Sequence, residues 1–246
     1  MTCHFVGWTG TEALPDLQRL PDELIAAAQE LPVWRRERYL KSRALLAEMM
    51  FYFFGYPRLP ALTLSPNVRP RFIDPCLPDF SLAYAGNTLA ILLSEEGKVG
   101  IDIEIVHLRP AYVTSNHAQS QTPAETVWIN AQSDPLEAAT QLYTIRQAIL
   151  KMTEPELAFI SGNNLRLHPA SGRLRSIHFP SLEVISDIDG YLAWACARIP
   201  TITHLVTWVY QGNGVMSKTG EIIQQQRQSR SYIKLTSHAS EKIPSV

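Results

Sequence analysis

Cysteine is scarce: three occur in 246 residues, at Cys3, Cys76 and Cys196, and no two are close enough to form a Cys-x-x-Cys pair. That spacing offers neither a disulfide framework nor a zinc site. Net charge is almost absent, with a formal value of −1 at pH 7. No global field therefore draws the chain to nucleic acid or to a membrane surface, and any anion binding must be local. The sequence has no run of 18 uninterrupted apolar residues, and its Met1-Thr2-Cys3-His4-Phe5 start lacks a basic region followed by an apolar one. These absences predict a cytoplasmic protein without a membrane or nucleic-acid partner. What remains is an ordinary globular composition, 46% hydrophobic and 18% charged, in a chain long enough for one large domain or two small ones.

The most informative stretch is Val99 to Val106. Branched apolar residues at Val99, Ile101, Ile103 and Ile105 alternate with Gly100, Asp102 and Glu104, the period of a half-buried strand. Asp102 and Glu104 thus share a strand face, about 7 Å apart at roughly 3.3 Å of rise per residue. Such a pair is either the solvated face of an antiparallel strand or a place for a cation. A hard divalent ion such as Mg²⁺, which takes one or two carboxylates plus substrate phosphates, fits it.

Upstream, Phe5, Val6 and Trp8 suggest a first strand. Pro21 and the acids after it predict a helix over 22–31. A longer one is expected over 33–54, stopped by Gly55. Its first half carries Arg35, Arg36, Arg38, Lys41 and Arg43 against Glu37. These cations form a solvated face or a phosphate-binding ledge, since Arg36 and Arg43 are seven apart and lie on one side of a helix. A proline-rich surface loop follows. Then strands at 80–85, 88–94 and 99–106, separated by short turns, read as a three-stranded meander. A polar connection covers 107–121.

Thr122-Pro123-Ala124-Glu125 is a capping box that opens a short helix, and Asp134-Pro135-Leu136-Glu137 repeats the device before a helix running to Met152. On that second helix Ala138, Leu142, Ile145, Ile149 and Met152 make the apolar stripe, while Tyr143, Gln147 and Lys151 stack along another side. Strands are expected again at 182–186, 191–198 and 204–210. The order predicts an α+β fold of two similar halves side by side, each a small antiparallel sheet packed with helices. The expected divisions are 1–113, which holds the basic helix and the acidic pair, and 114–212, which holds Tyr143, Gln147 and Lys151. A polar, disordered tail is expected over 213–246.

Val99-Gly100-Ile101-Asp102-Ile103-Glu104, followed by Tyr143-Thr144-Ile145-Arg146-Gln147-Ala148-Ile149-Leu150-Lys151, resembles the 4′-phosphopantetheinyl transferases of the holo-acyl-carrier-protein synthase type. Their pattern is Gly-(Ile/Val)-Asp-(Ile/Val)-Glu, then Trp/Phe-(Thr/Ser)-x-(Lys/Arg)-Glu-(Ala/Ser)-x-x-Lys. The run Arg35 to Leu46 is similar to the bacterial members that prime acyl carrier proteins, and the likeness spans about residues 33 to 210. It implies a pseudo-two-fold fold and a Mg²⁺-dependent transfer of phosphopantetheine from coenzyme A to a serine of an acyl or peptidyl carrier protein, as in fatty acid or polyketide synthesis. Asp102 and Glu104 match metal ligands, and Lys151 matches the lysine on the transferred phosphate. Arg43 and Arg36 match the basic positions that hold coenzyme A phosphates, and Arg35 or Arg38 would serve carrier docking.

Departures from that pattern around the ligand fall in three places. Gln147 stands where the family has a glutamate that binds metal or takes the serine proton, and an amide accepts no proton. Tyr84, within Phe80-Ser81-Leu82-Ala83-Tyr84-Ala85, replaces a histidine that contacts phosphate. Val68-Arg69-Pro70 replaces a Gly-Lys-Pro motif that meets coenzyme A, so that Arg69 and Pro70 are the matching contacts. Beside a third reading, in which the acidic pair and basic helix are solvated faces of an interaction module, two functions are compatible with these changes. One is a slow or specialised transferase; the other is a catalytically dead relative that binds a carrier protein or partner subunit.

Overall fold

The computed structural model describes residues 2–10, 16–63, 69–106, 121–152, 165, 167–170, 173–176, 182–199, 202–223 and 233–235. Val68, most of the 107–121 connection, and residues 224–232 and 236–246 of the expected tail lie outside that set. The architecture is mixed α+β, with four helices and two sheets among the described residues.

Strand β1 (Thr2–Thr9) leads through α1 (Asp22–Gln29) into α2 (Val33–Phe54). Gly55 ends α2 with φ 74°, the left-handed conformation that glycine adopts without a Cβ penalty. Next come β2 (Asp79–Ala85), β3 (Thr88–Ser94) and β4 (Lys98–Ile105). Helix α3 (Pro123–Asn130) starts at the Thr122/Glu125 capping box, as its sequence predicts. Helix α4 (Pro135–Met152) starts where the Asp134 carboxylate accepts from the Glu137 N–H at 3.0 Å. The chain closes with β5 (Leu167–Ala170), β6 (Arg173–Ser176), β7 (Glu183–Asp189), β8 (Leu192–Ile199), β9 (His204–Gly212), β10 (Val215–Ile223) and β11 (Ile233–Leu235).

One sheet has the order β10-β9-β1-β3-β2 and the other β4-β8-β7-β11-β6-β5. The expected three-stranded meander is corrected here. Strand β4 pairs with β8, Asp102 opposite Ala195 and Glu104 opposite Ala193, instead of continuing from β3. Strand β9 crosses the other way and lies parallel to β1, from Thr2 opposite His204 to Gly7 opposite Val209. Each hairpin, β2–β3 and β7–β8, thus sends its next strand into the opposite sheet. Neither sheet is purely antiparallel, since β1–β9 and β7–β11 are parallel pairs. Val215–Ile223, placed by composition in a polar tail, is an edge strand antiparallel to β9.

Three apolar clusters hold this arrangement. Leu45, Leu46, Met49 and Met50 of α2 meet Val6, Leu89, Ile91 and Leu93 of the first sheet. Leu142, Ile145 and Ile149 of α4, the stripe expected from sequence, meet Val184, Ala195 and Ala197 of the second. Each fully buried Leu, Ile, Met or Val among them contributes about 2 kcal/mol of transfer free energy. The third cluster joins the sheets to each other, with Ala90 and Leu92 of β3, Val99, Ile101 and Ile103 of β4, and Trp194 and Cys196 of β8.

Candidate active site

With its odd-numbered residues in the core between the sheets, β4 turns Gly100, Asp102 and Glu104 toward α4. Gly100 is what lets the helix approach. A Cβ built there would lie 1.9 Å from the Ala148 carbonyl oxygen and 2.8 Å from the Met152 nitrogen. The last turns of α4 therefore rest directly on β4, and they carry Lys151 to the acidic face.

Asp102 is buried, at 7% exposure. The Lys151 Nζ donates to its Oδ1 at 2.6 Å and to the Leu82 carbonyl of β2 at 3.3 Å. Glu104 is half-buried, two residues further along the same face. Gln147 and Tyr143, also half-buried, share the Lys151 side of α4.

Strands β2 and β4 run alongside each other through side chains. The Asp79 Oδ2 accepts from the Val99 N–H at 2.9 Å, and the Ser81 hydroxyl oxygen accepts from the Ile101 N–H at 3.1 Å. Arg69 closes one end of this seam. Its Nε donates to the Phe80 carbonyl at 3.1 Å, its Nη1 to the Lys151 carbonyl at 3.1 Å, and its Nη2 to Asp79 Oδ2 at 2.8 Å and also to the Phe80 carbonyl. Burial pulls the Arg69 pKa below the ordinary arginine value, and the Asp79 carboxylate opposes that shift. Pro70, next in the chain, is half-buried.

On α2, Arg43 lies over the Tyr39 ring at 4.0 Å and donates to the Ser42 hydroxyl at 2.8 Å. Its Nε is buried with no hydrogen-bond partner among the described residues. Burial also lowers the Arg43 pKa from its ordinary value, opposed by Tyr39 and Tyr84. The Tyr84 hydroxyl donates to the Arg38 carbonyl, and burial raises the Tyr84 pKa, with Ser42 and Arg43 opposing. Tyr84 thus joins β2 to the basic helix.

Arg36 is elsewhere. Its Nε donates to the Ala28 carbonyl at 3.1 Å and its Nη2 to the carbonyls of Gln29 and Leu31 at 2.9 and 3.3 Å. It binds carbonyls at and just past the end of α1, so the expected Arg36–Arg43 ledge is reduced to Arg43. Helix spacing puts the two on one side of α2, but the neighbouring helix claims the first.

Sequence reasoning also missed the support beneath the site. Arg146, one residue before Gln147, ion-pairs with Glu125, both nearly inaccessible, and donates its Nε to the Leu165 carbonyl at 3.2 Å. Glu125 further accepts from the Thr122 N–H at 2.7 Å and the Leu167 N–H at 2.8 Å. The capping box exposes Glu125 as a helix-start residue but carries no signal for a partner 21 positions away. Asp79 likewise has no local signature.

The donor set fits Mg²⁺ in a limited way. Asp102 and Glu104 are hard oxygen ligands on one face, and a cation, Lys151, already neutralises one of them. No cluster of three or more His, Cys, Asp or Glu is found among the described residues. The described residues therefore offer two carboxylates and not a cage, which suits an ion that completes its shell with phosphate and water.

No helix among the described residues is long and apolar enough to cross a membrane. No family model matches the chain. Among curated proteins, the uncharacterized protein YieE of Escherichia coli is 37% identical over 216 residues, which is 86% of this chain and 86% of its own length. A putative 4′-phosphopantetheinyl transferase of Haemophilus influenzae is 26% identical over 207 residues, covering 78% of this chain and 86% of its own. The 4′-phosphopantetheinyl transferase AcpT of Salmonella typhimurium is 31% identical over 134 residues, 54% of this chain and 66% of its own.

Proposed function

We propose that this chain, which belongs to the family of the YieE protein and is similar to proteins named 4′-phosphopantetheinyl transferases, moves phosphopantetheine from coenzyme A to a serine of an acyl or peptidyl carrier protein. The observation that carries this reading is the contact of Lys151 of α4 with Asp102 of β4, made possible by Gly100, with Glu104 two residues further along the same strand face. In the reaction the serine oxygen forms a bond to phosphorus, the bond to 3′,5′-adenosine diphosphate breaks, and the hydroxyl proton must be removed. Asp102 and Glu104 would hold Mg²⁺, which when bound neutralises charge on the pyrophosphate. Lys151, about a third of whose side chain is open to solvent, would hold the transferred phosphate. Arg43, with an unpaired buried N–H, would hold another coenzyme A phosphate.

Gln147 accepts no proton, so the serine proton goes to water or to one of the two carboxylates. Loss of a general base commonly lowers rate by about 10²- to 10⁴-fold, hence a slow or specialised enzyme. A second reading, a non-catalytic relative that binds a carrier protein, is favoured by Gln147 and by the commitment of the Tyr84 hydroxyl to the Arg38 carbonyl.

Intact-mass spectrometry of apo carrier proteins incubated with this protein, coenzyme A and Mg²⁺ tests the proposal, with an active transferase as control. Added phosphopantetheine that is lost in Asp102→Ala supports transfer. An unmodified panel beside an active control refutes it and leaves carrier binding, measured by calorimetry without Mg²⁺, as the surviving alternative.

A further inference from the structure

Resemblance makes Arg69 a coenzyme A contact, yet its surroundings leave little of it for a ligand. A guanidinium has five N–H donors. Four are occupied: one Nε and one Nη2 hydrogen by the Phe80 carbonyl, a second Nη2 hydrogen by Asp79, and one Nη1 hydrogen by the Lys151 carbonyl. Asp79 in turn accepts the Val99 N–H. One side chain thus gathers the first residues of β2, the first residues of β4 and the last turn of α4.

The acceptor on α4 is significant. The last four carbonyls of a helix have no intrahelical partner, and a cation placed there also complements the negative end of the helix dipole. That carbonyl belongs to Lys151, whose own ammonium reaches Leu82 on β2 and Asp102 on β4. Arg69 therefore grips the main chain of the residue whose side chain spans the seam.

We propose that Arg69 is a positioning residue that fixes Lys151 across the β2–β4 seam, and that Asp79 orients Arg69 for the task, instead of Arg69 serving as a phosphate ligand. The kinetic consequence rests on the transferase reading above; the structural consequence does not.

Two substitutions separate the roles. Arg69→Lys keeps a charge able to meet phosphate but loses the fork that serves three acceptors at once. Asp79→Asn keeps the Arg69 side chain but removes the charged partner that orients it, and is the milder variant should Arg69→Lys not fold. The full-length protein, without added metal or coenzyme A, is treated with an N-hydroxysuccinimide acetylating reagent. Labelling of Lys151 is then read by peptide mass spectrometry against the exposed Lys218 of β10 as internal reference. The expected result is a severalfold rise at Lys151 in each folded variant with Lys218 unchanged. Wild-type labelling of Lys151 in variants that melt as the wild type does would overturn the proposal.

Steady-state transfer gives the second readout. The proposal expects kcat to fall by about tenfold or more, with the KM for coenzyme A little changed. A raised KM with kcat intact would make Arg69 a phosphate ligand. If the wild-type protein transfers nothing, the transferase reading fails while the labelling still decides the role of Arg69.

Discussion

Replacing Gly100 by alanine puts a methyl group where the structure already has a helix. The nearest atom, the Ala148 carbonyl oxygen, is main chain, and so is the Met152 nitrogen, so no rotamer change relieves the 1.9 and 2.8 Å approaches. Opening the shorter one to even about 3.2 Å requires α4 to withdraw from β4 by at least about 1.3 Å. The packed cluster of Leu142, Ile145 and Ile149 moves with it. Overpacking of this kind costs about 1 to 3 kcal/mol, and a clash between two main chains belongs at the upper end. For a chain of this size about 3 kcal/mol lowers the melting temperature by about 6 to 12 °C. The same withdrawal pulls Lys151 from Asp102, so transfer activity falls by about 10²-fold. Thermal unfolding and the mass assay read the two effects separately. Gly7→Ala on β1 is the control, because its new methyl group would meet only the Trp208 carbonyl at 3.9 Å. A Gly100→Ala protein that melts within about 2 °C of the wild type, as the Gly7 control should, would refute the direct seating of α4 on β4.

Glu125→Ala strands Arg146 in the core without its carboxylate and should cost about 3 to 5 kcal/mol in urea unfolding, whereas an effect below about 1 kcal/mol would mean the pair is hydrated. His4, stacked on Phe53 at 4.0 Å, has its pKa lowered from 6.5 to about 4, by burial first and by His204 second. The unfolded chain therefore takes up a proton that the native state refuses, and stability is fully present above pH 6.5 and lost as pH falls toward 4. The uncorrected loss is about 3 kcal/mol, and partial exposure of the ring brings it nearer about 1 to 2 kcal/mol. His4→Phe should flatten that part of the stability profile; an unchanged slope between pH 6.5 and 4 would count against the assignment. Gln147→Glu should raise the transfer rate by about 10²-fold, and no gain would mean that a missing carboxylate is not what limits the reaction.

Features written in short-range patterns were legible beforehand. The extent of α2 from Val33 to Phe54 with its Gly55 stop, the Thr122 capping box and the alternation of β4 each follow from a few neighbouring residues. Strand partners were not, because alternation fixes which face of β4 is buried but not whether β3 or β8 supplies its hydrogen bonds. Composition misplaced Val215–Ile223 for a related reason: an edge strand is held by main-chain bonds and needs few apolar side chains. Arginines were the least legible. Arg36, Arg43 and Arg69 look alike in sequence, yet a helix end, an aromatic ring and a strand seam claim them in turn.

The crossing of β9 into the first sheet bears on how the protein is made. Strand β1 leaves the ribosome well before its parallel neighbour, which begins only at His204. At about 5 to 20 residues per second, the β1 edge waits roughly 10 to 40 s for that partner. Its other edge finds β3 once residue 94 is made, but during the rest of this interval the nascent chain presents one open edge of the strand carrying Phe5, Val6 and Trp8, a template for any other nascent chain nearby. Chains released before β9 is made would keep that edge permanently, so premature termination should yield aggregates and not a soluble half-protein.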